Sequence, residues 1–158
     1  MKKIASFTVD HLRLLPGVYV SRRDTLKEEA LTTFDLRFTR PNEEPVLDTA
    51  PVHAIEHLAA TYLRNHAQWG GKVIYFGPMG CRTGFYLILK GELEPQNILE
   101  LLEGMLEFII GFTGDIPGAS ARDCGNYLDM NLSMAKYHAK KYLEVLWNIT
   151  PERMYYPE

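Results

Sequence analysis

Cysteine is scarce in this sequence of 158 residues, which contains only Cys81 and Cys124. Two cysteines form at most one disulfide, so the chain is not one of the small disulfide-rich scaffolds of secreted proteins. In a reducing compartment, two thiols suit metal ligation or catalysis better than cross-linking. Both cysteines are therefore candidates for a functional site.

The sequence also lacks long apolar runs and a strong charge of either sign. No stretch approaches the roughly 20 apolar residues that span a bilayer. The N-terminus, Met1 to His11, begins with two lysines but has neither a long apolar segment nor a cleavage signal. The net charge of −3 gives no electrostatic case for a nucleic acid or an anionic membrane. We expect a cytoplasmic protein with neither of these partners.

Length and composition favour one globular domain spanning residues 1–158. Hydrophobic residues make up 46% and charged residues 23%, an ordinary balance for a folded domain long enough to bury a core. No internal repeat or low-complexity tract interrupts it.

Hydrophobic periodicity predicts four strands and three helices. The strands are expected at 17–24, 32–40, 72–76 and 84–90. The first helix is expected to start at Asp48 or Thr49, run through Leu63 and stop before Gly70, and the others are expected at 96–110 and 131–148. Strands and helices do not alternate regularly along the chain. We therefore predict an α+β fold with a four-stranded antiparallel sheet packed with helices, not a doubly wound parallel fold.

The run His53-Ala-Ile-Glu56-His57 in the first predicted helix is typical of a metal site with an adjacent base. Residues four apart lie on one helix face, so both imidazoles can bind the same ion. His-x-x-Glu-His is also an inverted-zincin signature, which makes a small metalloprotease one hypothesis. The simpler alternative is a pair of packed or solvated histidines.

Cys124 is the strongest downstream candidate for a third ligand. Two histidines, one thiolate and an open position suit a tetrahedral ion such as Zn²⁺, and the thiolate admits softer divalent metals. The alternatives are a closed site in a non-catalytic metal-binding module, or a Cys124 that is merely a small buried hydrophobe.

Cys81 lies in a different environment, the loop Gly77-Pro-Met-Gly-Cys81-Arg82-Thr-Gly84 between two predicted strands. Glycines allow close approach of a ligand, and the neighbouring Arg82 can lower the pKa of the thiol. Such a thiolate could act as a proton-transfer base or a nucleophile. Taken alone, it could equally be an inert cysteine at the end of a loop.

Taken together, these segments resemble the S-ribosylhomocysteine lyase (LuxS) family. The resemblance is collinear from residue 4 to about 147 and rests on His53-Ala-Ile-Glu-His57-Leu-Ala-Ala-Thr-Tyr-Leu-Arg-Asn-His66, Gly77-Pro-Met-Gly-Cys81-Arg-Thr-Gly-Phe-Tyr86, Cys124-Gly125, Phe34-Asp35-Leu36-Arg37-Phe38, and Ser6 with Asp10-His11.

The resemblance implies a reaction and an assembly. Members cleave S-ribosylhomocysteine to homocysteine and 4,5-dihydroxy-2,3-pentanedione, the precursor of the autoinducer-2 quorum-sensing signal, within the activated methyl cycle. They are homodimers of α+β fold with active sites at the interface, each holding one divalent metal, Fe²⁺ in the native form, which Zn²⁺ or Co²⁺ can replace.

The resemblance also implies residue roles. The metal ligands would be His53, His57 and Cys124. Cys81 and Glu56 would be the catalytic acid/base groups, and Arg37 would hold Cys81 or the substrate electrostatically. Ser6 and His11 would bind substrate in the neighbouring subunit's site, and Asp35 is a further substrate-binding candidate.

One segment departs from the family pattern. Where the family usually shows Asp-x-Ser ahead of Pro-Met-Gly-Cys, this chain has Tyr75-Phe76-Gly77, which puts in doubt any substrate contact of that Asp side chain. The resemblance assigns no role to His66 or His138, and we expect both to be structural or on the surface.

Overall fold

A computed structural model describes residues 2–157, so Met1 and Glu158, the ends of the predicted domain, lie outside the described residues. Within this range a four-stranded sheet of order β1-β2-β4-β3 is antiparallel throughout. Its strands are β1 (Gly17–Leu26), β2 (Glu29–Arg37), β3 (Val73–Pro78) and β4 (Gly84–Lys90), and the helices are α1 (Thr49–Asn65), α2 (Leu99–Gly111) and α3 (Leu132–Trp147). The predicted α+β class with an antiparallel sheet is confirmed.

The strand boundaries differ from the prediction mainly in β2. That strand starts at Glu29, because Lys27, with a φ of 58°, makes a tight hairpin turn directly after β1. It ends at Arg37 instead of continuing to residue 40, since the next two backbone N–H groups, of Phe38 and Thr39, both donate to the carbonyl of Thr83. The polar end of β2 is thereby fixed beside the turn that carries Cys81.

Helix α1 begins at the predicted position and ends at Asn65, before Gly70 as predicted. His66 is extended and its Nδ1 accepts the backbone N–H groups of Gln68 and Trp69, at 3.2 and 3.3 Å. The side chain of His66 thus stabilises the turn after the helix, a structural role. Helix α2 starts later than predicted, because a short 3₁₀ turn at Pro95–Ile98 precedes it.

The hydrophobic core lies between the three helices and one face of the sheet. Alternate residues of β2 and β4 point into it, including Phe34, Leu36, Phe85 and Leu87, all fully buried. Burying a side chain of this size contributes roughly 1.5–3 kcal/mol each. The opposite face of the same strands therefore carries the intervening residues, among them Asp35, Arg37 and Tyr86.

No helix among residues 2–157 combines the length and apolar character needed to cross a membrane.

Candidate metal centre and thiol site

Helix α1 presents His53 and His57 side by side on one half-buried face. Their ring centroids lie 4.8 Å apart with an interplanar angle of 76°. The neighbouring positions Ala54, Ile55 and Leu58 point into the core and are fully buried. Because these apolar residues fix the rotation of the helix, the two imidazoles are held at the edge of the core, facing the loop that precedes α3.

Both imidazoles are oriented by backbone carbonyls of that loop. His53 Nδ1 lies 3.0 Å from the carbonyl oxygen of Asp129, and His57 Nδ1 lies 2.7 Å from that of Pro117. A carbonyl only accepts, so each Nδ1 donates its proton, and in the tautomer that binds a metal Nε2 supplies the lone pair. In metal-binding histidines the ring nitrogen that does not bind the metal commonly donates to a carbonyl in this way, which fixes the orientation of the ring.

Cys124 completes the group from the same loop. Its Sγ lies 3.4 Å from Nε2 of His53, and one ligand atom from each of His53, His57 and Cys124 lies within 4.8 Å of the others. Two ligands of a tetrahedral Zn²⁺ ion, one nitrogen and one sulfur, are about 3.5 Å apart, given metal bonds of 2.0–2.1 and 2.3 Å. The three residues therefore fit a divalent metal with one coordination position left over.

Backbone hydrogen bonds fix the loop between α2 and α3 near Cys124 and just before α3. The backbone N–H of Asn131 donates to the carbonyl of Ala50 at 3.1 Å, and that of Cys124 donates to Ser120 at 3.0 Å. Gly118, at a φ of 72°, lies directly against His57, so a Cβ there would be 3.2 Å from Nδ1. The hydrogen bond between His57 Nδ1 and the carbonyl of Pro117 depends on this close approach of Gly118 to the imidazole.

Glu56 directly precedes His57 on α1 and is half-buried. One residue corresponds to about 100° of helix rotation, so its carboxylate lies to the side of the ligand face and not within the ligand set. A group in that position can exchange protons with a molecule bound beside the metal ligands.

Cys81 lies in the turn between β3 and β4. Backbone N–H groups of Met79 and Arg82 donate to the carbonyls of Gly84 and Met79, and Arg82 adopts a φ of 57°. The backbone N–H of Leu47 donates to the carbonyl of Arg82 and ties the turn to the approach to α1. The turn leaves the side chain of Cys81 exposed.

Arg37 and Thr83 surround the thiol on its protein side. Both are buried, and Nη1 of Arg37 donates to Oγ1 of Thr83 at 2.7 Å. Oγ1 of Thr83 in turn lies 3.1 Å from Sγ of Cys81, while Nη1 of Arg37 is 3.9 Å from the same sulfur. Because the Thr83 oxygen accepts from Arg37, its own proton is free to be donated to a Cys81 thiolate.

These contacts determine the charge state of the thiol. Burial raises the pKa of Cys81, but the side-chain and backbone hydrogen bonds of Thr83 and the positive charge of Arg37 lower it by more. The pKa of Cys81 therefore lies below its ordinary value, and more of the thiol is ionised at neutral pH. The sequence suggested Arg82 as the cation; the residue that lowers the pKa is Arg37.

Asp35 is not a surface charge. Its side chain is buried, and its two oxygens accept from Nε and Nη2 of Arg37 at 3.1 and 2.6 Å. The hydroxyl of Tyr156 donates to the same carboxylate at 2.8 Å. Asp35 thus contacts Arg37 from the side opposite Thr83, which makes it a support for Arg37.

Sequence reasoning did not find Thr83 and Tyr156 as parts of this arrangement. Thr83 is two residues from Cys81 in the same turn, a spacing that could have suggested it. Tyr156 is 121 residues from its partner Asp35, and no local pattern links the two.

The structure places His11 and Ser6 at different positions. His11 lines a cavity of about 490 Å³ together with Cys81, Thr83 and residues 41–46. Ser6 lines another, of about 410 Å³, on the outward face of the sheet with Tyr75 and Tyr86. The residues lining the cavity at Cys81 do not include Glu56 or the metal-ligand group.

The two departures at 75 and 77 are coupled in the structure. The hydroxyl of Tyr75 lies over Gly77, in the space that a Cβ at residue 77 would occupy. A serine at residue 77, as the family usually has, would therefore displace the side chain of Tyr75.

Comparison with known proteins agrees with this geometry. A model of the family described as S-Ribosylhomocysteinase (LuxS) matches residues 4–152. The S-ribosylhomocysteine lyases of Clostridium acetobutylicum and Clostridium beijerinckii are 61% and 62% identical over 158 residues, which cover 100% and 99% of each chain. That of Phocaeicola vulgatus is 54% identical over 99% of this chain and 98% of its own. The chain belongs to the S-ribosylhomocysteinase (LuxS) family.

Proposed function

We propose that this protein is a metal-dependent carbon–sulfur lyase that cleaves S-ribosylhomocysteine to homocysteine and 4,5-dihydroxy-2,3-pentanedione. The observation that carries the proposal is the convergence of two oriented imidazoles and one cysteine sulfur within 4.8 Å of one another, in a chain 52–62% identical to lyases of that name. The alternative of an inverted-zincin protease finds no support in these relatives.

His53, His57 and Cys124 would hold the metal, which we propose to be Fe²⁺, with Zn²⁺ or Co²⁺ as replacements. A nitrogen and sulfur ligand set of this kind accepts several divalent ions. When bound, the ion supplies a Lewis acid for the sugar's carbonyl and hydroxyl oxygens.

Cys81 and Glu56 would move the protons. The carbonyl of the ribose must migrate from C1 to C3 before the thioether at C5 can leave, and each migration removes a proton from carbon α to a carbonyl. The Cys81 thiolate, which Thr83 and Arg37 stabilise, takes one such proton and returns it to the neighbouring carbon. Glu56 serves as the second acid/base group, and loss of a C4 proton then expels homocysteine as C5–S breaks.

We further propose a homodimer with active sites at the interface, in which Ser6 and His11 bind substrate in the neighbouring subunit's site. The N-terminal segment supports this arrangement, since its apolar side chains Ile4, Phe7 and Leu12 are 58–73% exposed. Apolar side chains exposed to water favour packing against another chain.

We place the reaction in the cytoplasm, in the activated methyl cycle, with the diketone as the precursor of autoinducer-2 in quorum sensing. Cys81 and Cys124 are both free thiols, which a reducing compartment preserves.

The test is release of free thiol from S-ribosylhomocysteine by anaerobically purified protein, with metal analysis of the same sample. Wild-type protein should turn over, whereas Cys81→Ala and Glu56→Gln should lose at least about 10²-fold in kcat while retaining metal. Full turnover by both variants with metal bound would refute the assigned roles. Cleavage of denatured casein would instead revive the protease alternative.

A further inference from the structure

The C-terminal segment of the chain is built onto the sheet face that carries the thiol site. Nη1 of Arg153 donates to the carbonyl of Pro16 at 2.8 Å, and the hydroxyl of Tyr19 donates to the carbonyl of Glu152 at 3.2 Å. Gly17 allows this approach, because a Cβ there would overlap the carbonyl oxygen of Arg153. These contacts fix the chain just before Tyr156.

Tyr156 is positioned by ring stacking and by its hydroxyl. Its ring stacks on that of Tyr19, with centroids 5.0 Å apart and an interplanar angle of 11°. Its hydroxyl then reaches Oδ2 of Asp35, the oxygen that also accepts from Nη2 of Arg37. Burial and the charge of Asp35 raise the pKa of Tyr156, so this hydroxyl stays protonated and acts as a donor.

From this chain of contacts we infer that Tyr156 is a positioning residue for the thiol, acting through Asp35, Arg37 and Thr83 on Cys81. The family model ends at residue 152, so the segment that carries Tyr156 lies beyond the matched range. The inference rests on the proposed role of Cys81 for its effect on turnover, but not for its effect on the thiol itself.

The direction of the effect follows from the shared oxygen of Asp35. When the Tyr156 hydroxyl donates to it, the negative charge of Asp35 is partly satisfied by a neutral group. Without that donor, Asp35 attracts the Arg37 guanidinium more strongly and presents a more negative field to the sulfur. Both changes disfavour the Cys81 thiolate.

The experiment compares Tyr156→Phe with Tyr155→Phe in the metal-loaded full-length protein. Phe at 156 keeps the ring on Tyr19 and removes only the hydroxyl, so the fold is retained. Tyr155 is 55% exposed, and its hydroxyl accepts from Gln96. Tyr155→Phe therefore tests the loss of a tyrosine hydroxyl that does not contact Asp35.

The first readout is alkylation of Cys81 by iodoacetamide across pH, resolved from Cys124 by peptide mass spectrometry. Tyr156→Phe should lower the Cys81 alkylation rate at pH 7 about threefold and move the profile to higher pH, because the rate follows the thiolate fraction. Tyr155→Phe should match wild type. Superimposable profiles for all three folded proteins would overturn the inference.

The second readout is thiol release from S-ribosylhomocysteine. Tyr156→Phe should lower kcat about threefold at pH 7 with KM unchanged, and shift the acidic limb of the pH profile upward. If wild type releases no thiol, the proposed function fails while the alkylation profile still decides the role of Tyr156. A change in KM alone would show that Tyr156 binds substrate and would overturn the positioning role.

Discussion

Replacing Thr83 by valine removes one oxygen atom while nearly preserving shape, and it separates the two contacts that this hydroxyl makes. The Cys81 thiolate loses its 3.1 Å side-chain donor. It keeps Arg37, 3.9 Å away, and the backbone N–H groups of residue 83 and of Cys81 itself. A hydrogen bond to a charged group contributes about 1.5–3 kcal/mol, and exposure of the thiol reduces this to about 1 kcal/mol. That free energy corresponds to roughly fivefold less thiolate at a pH below the pKa.

The same substitution has a separate cost in stability. Nη1 of buried Arg37 loses its 2.7 Å acceptor, and an unsatisfied buried donor costs about 1–3 kcal/mol. Thr32→Val is the matched control. Thr32 is a buried threonine of β2, away from Cys81, whose hydroxyl donates to the carbonyl of Gly91 and accepts from the backbone N–H of Leu93. Both variants should therefore lose similar free energy of unfolding in urea.

Only Thr83→Val should alter the thiol. The native pKa of Cys81 lies below its ordinary value, so thiolate-dependent turnover rises with pH through that lowered pKa, and its acidic limb should move upward in Thr83→Val. Alkylation of Cys81 measured from pH 5 to 9 should move with it. If Thr83→Val and Thr32→Val give the same alkylation profile, Thr83 does not stabilise the thiolate and the argument from the shared hydroxyl is wrong.

The remaining predictions concern glycines. Gly118→Ala should weaken metal binding about tenfold in a chelator competition, because a Cβ there crowds His57, whereas Gly114→Ala, also at positive φ but in open space, should not. Gly77→Ser should displace the Tyr75 side chain. The effect of Tyr75→Asp on KM should therefore differ between the wild-type protein and the Gly77→Ser variant. Additive effects of the two substitutions would show that the two positions are independent.

The metal-ligand group was predictable because most of it is local. The i,i+4 spacing of His53 and His57 and the apolar residues between them place both imidazoles on one face of any helix that forms there. The loop carbonyls that orient them were not predictable, since Pro117 and Asp129 contribute backbone atoms, which leave no mark in the sequence. The end of α1 before Gly70 was predicted, but the turn after it is fixed by the side chain of His66, whose Nδ1 accepts two backbone N–H groups.

The environment of Cys81 shows the limit of sequence reasoning more clearly. The adjacent cation, Arg82, was the natural candidate for lowering the pKa of the thiol, yet its guanidinium donates to the carbonyl of Leu47. The cation that acts is Arg37, which strand pairing brings there: Arg37 lies opposite Gly84 in the β2–β4 register, next to the turn. A cross-strand neighbour is set by the register of the whole sheet and not by sequence distance.

The same register explains why the pair Asp35–Arg37 lies on the outward face of the sheet. Phe34 and Leu36 must point into the core, so the alternation of β2 forces the two charged residues to the opposite side. A buried ion pair there needs a cover, because removing charges from water costs several kcal/mol unless their hydrogen bonds are satisfied. Tyr19 and Tyr156 provide that cover, which ties the reactivity of an exposed thiol to the last few residues of the chain.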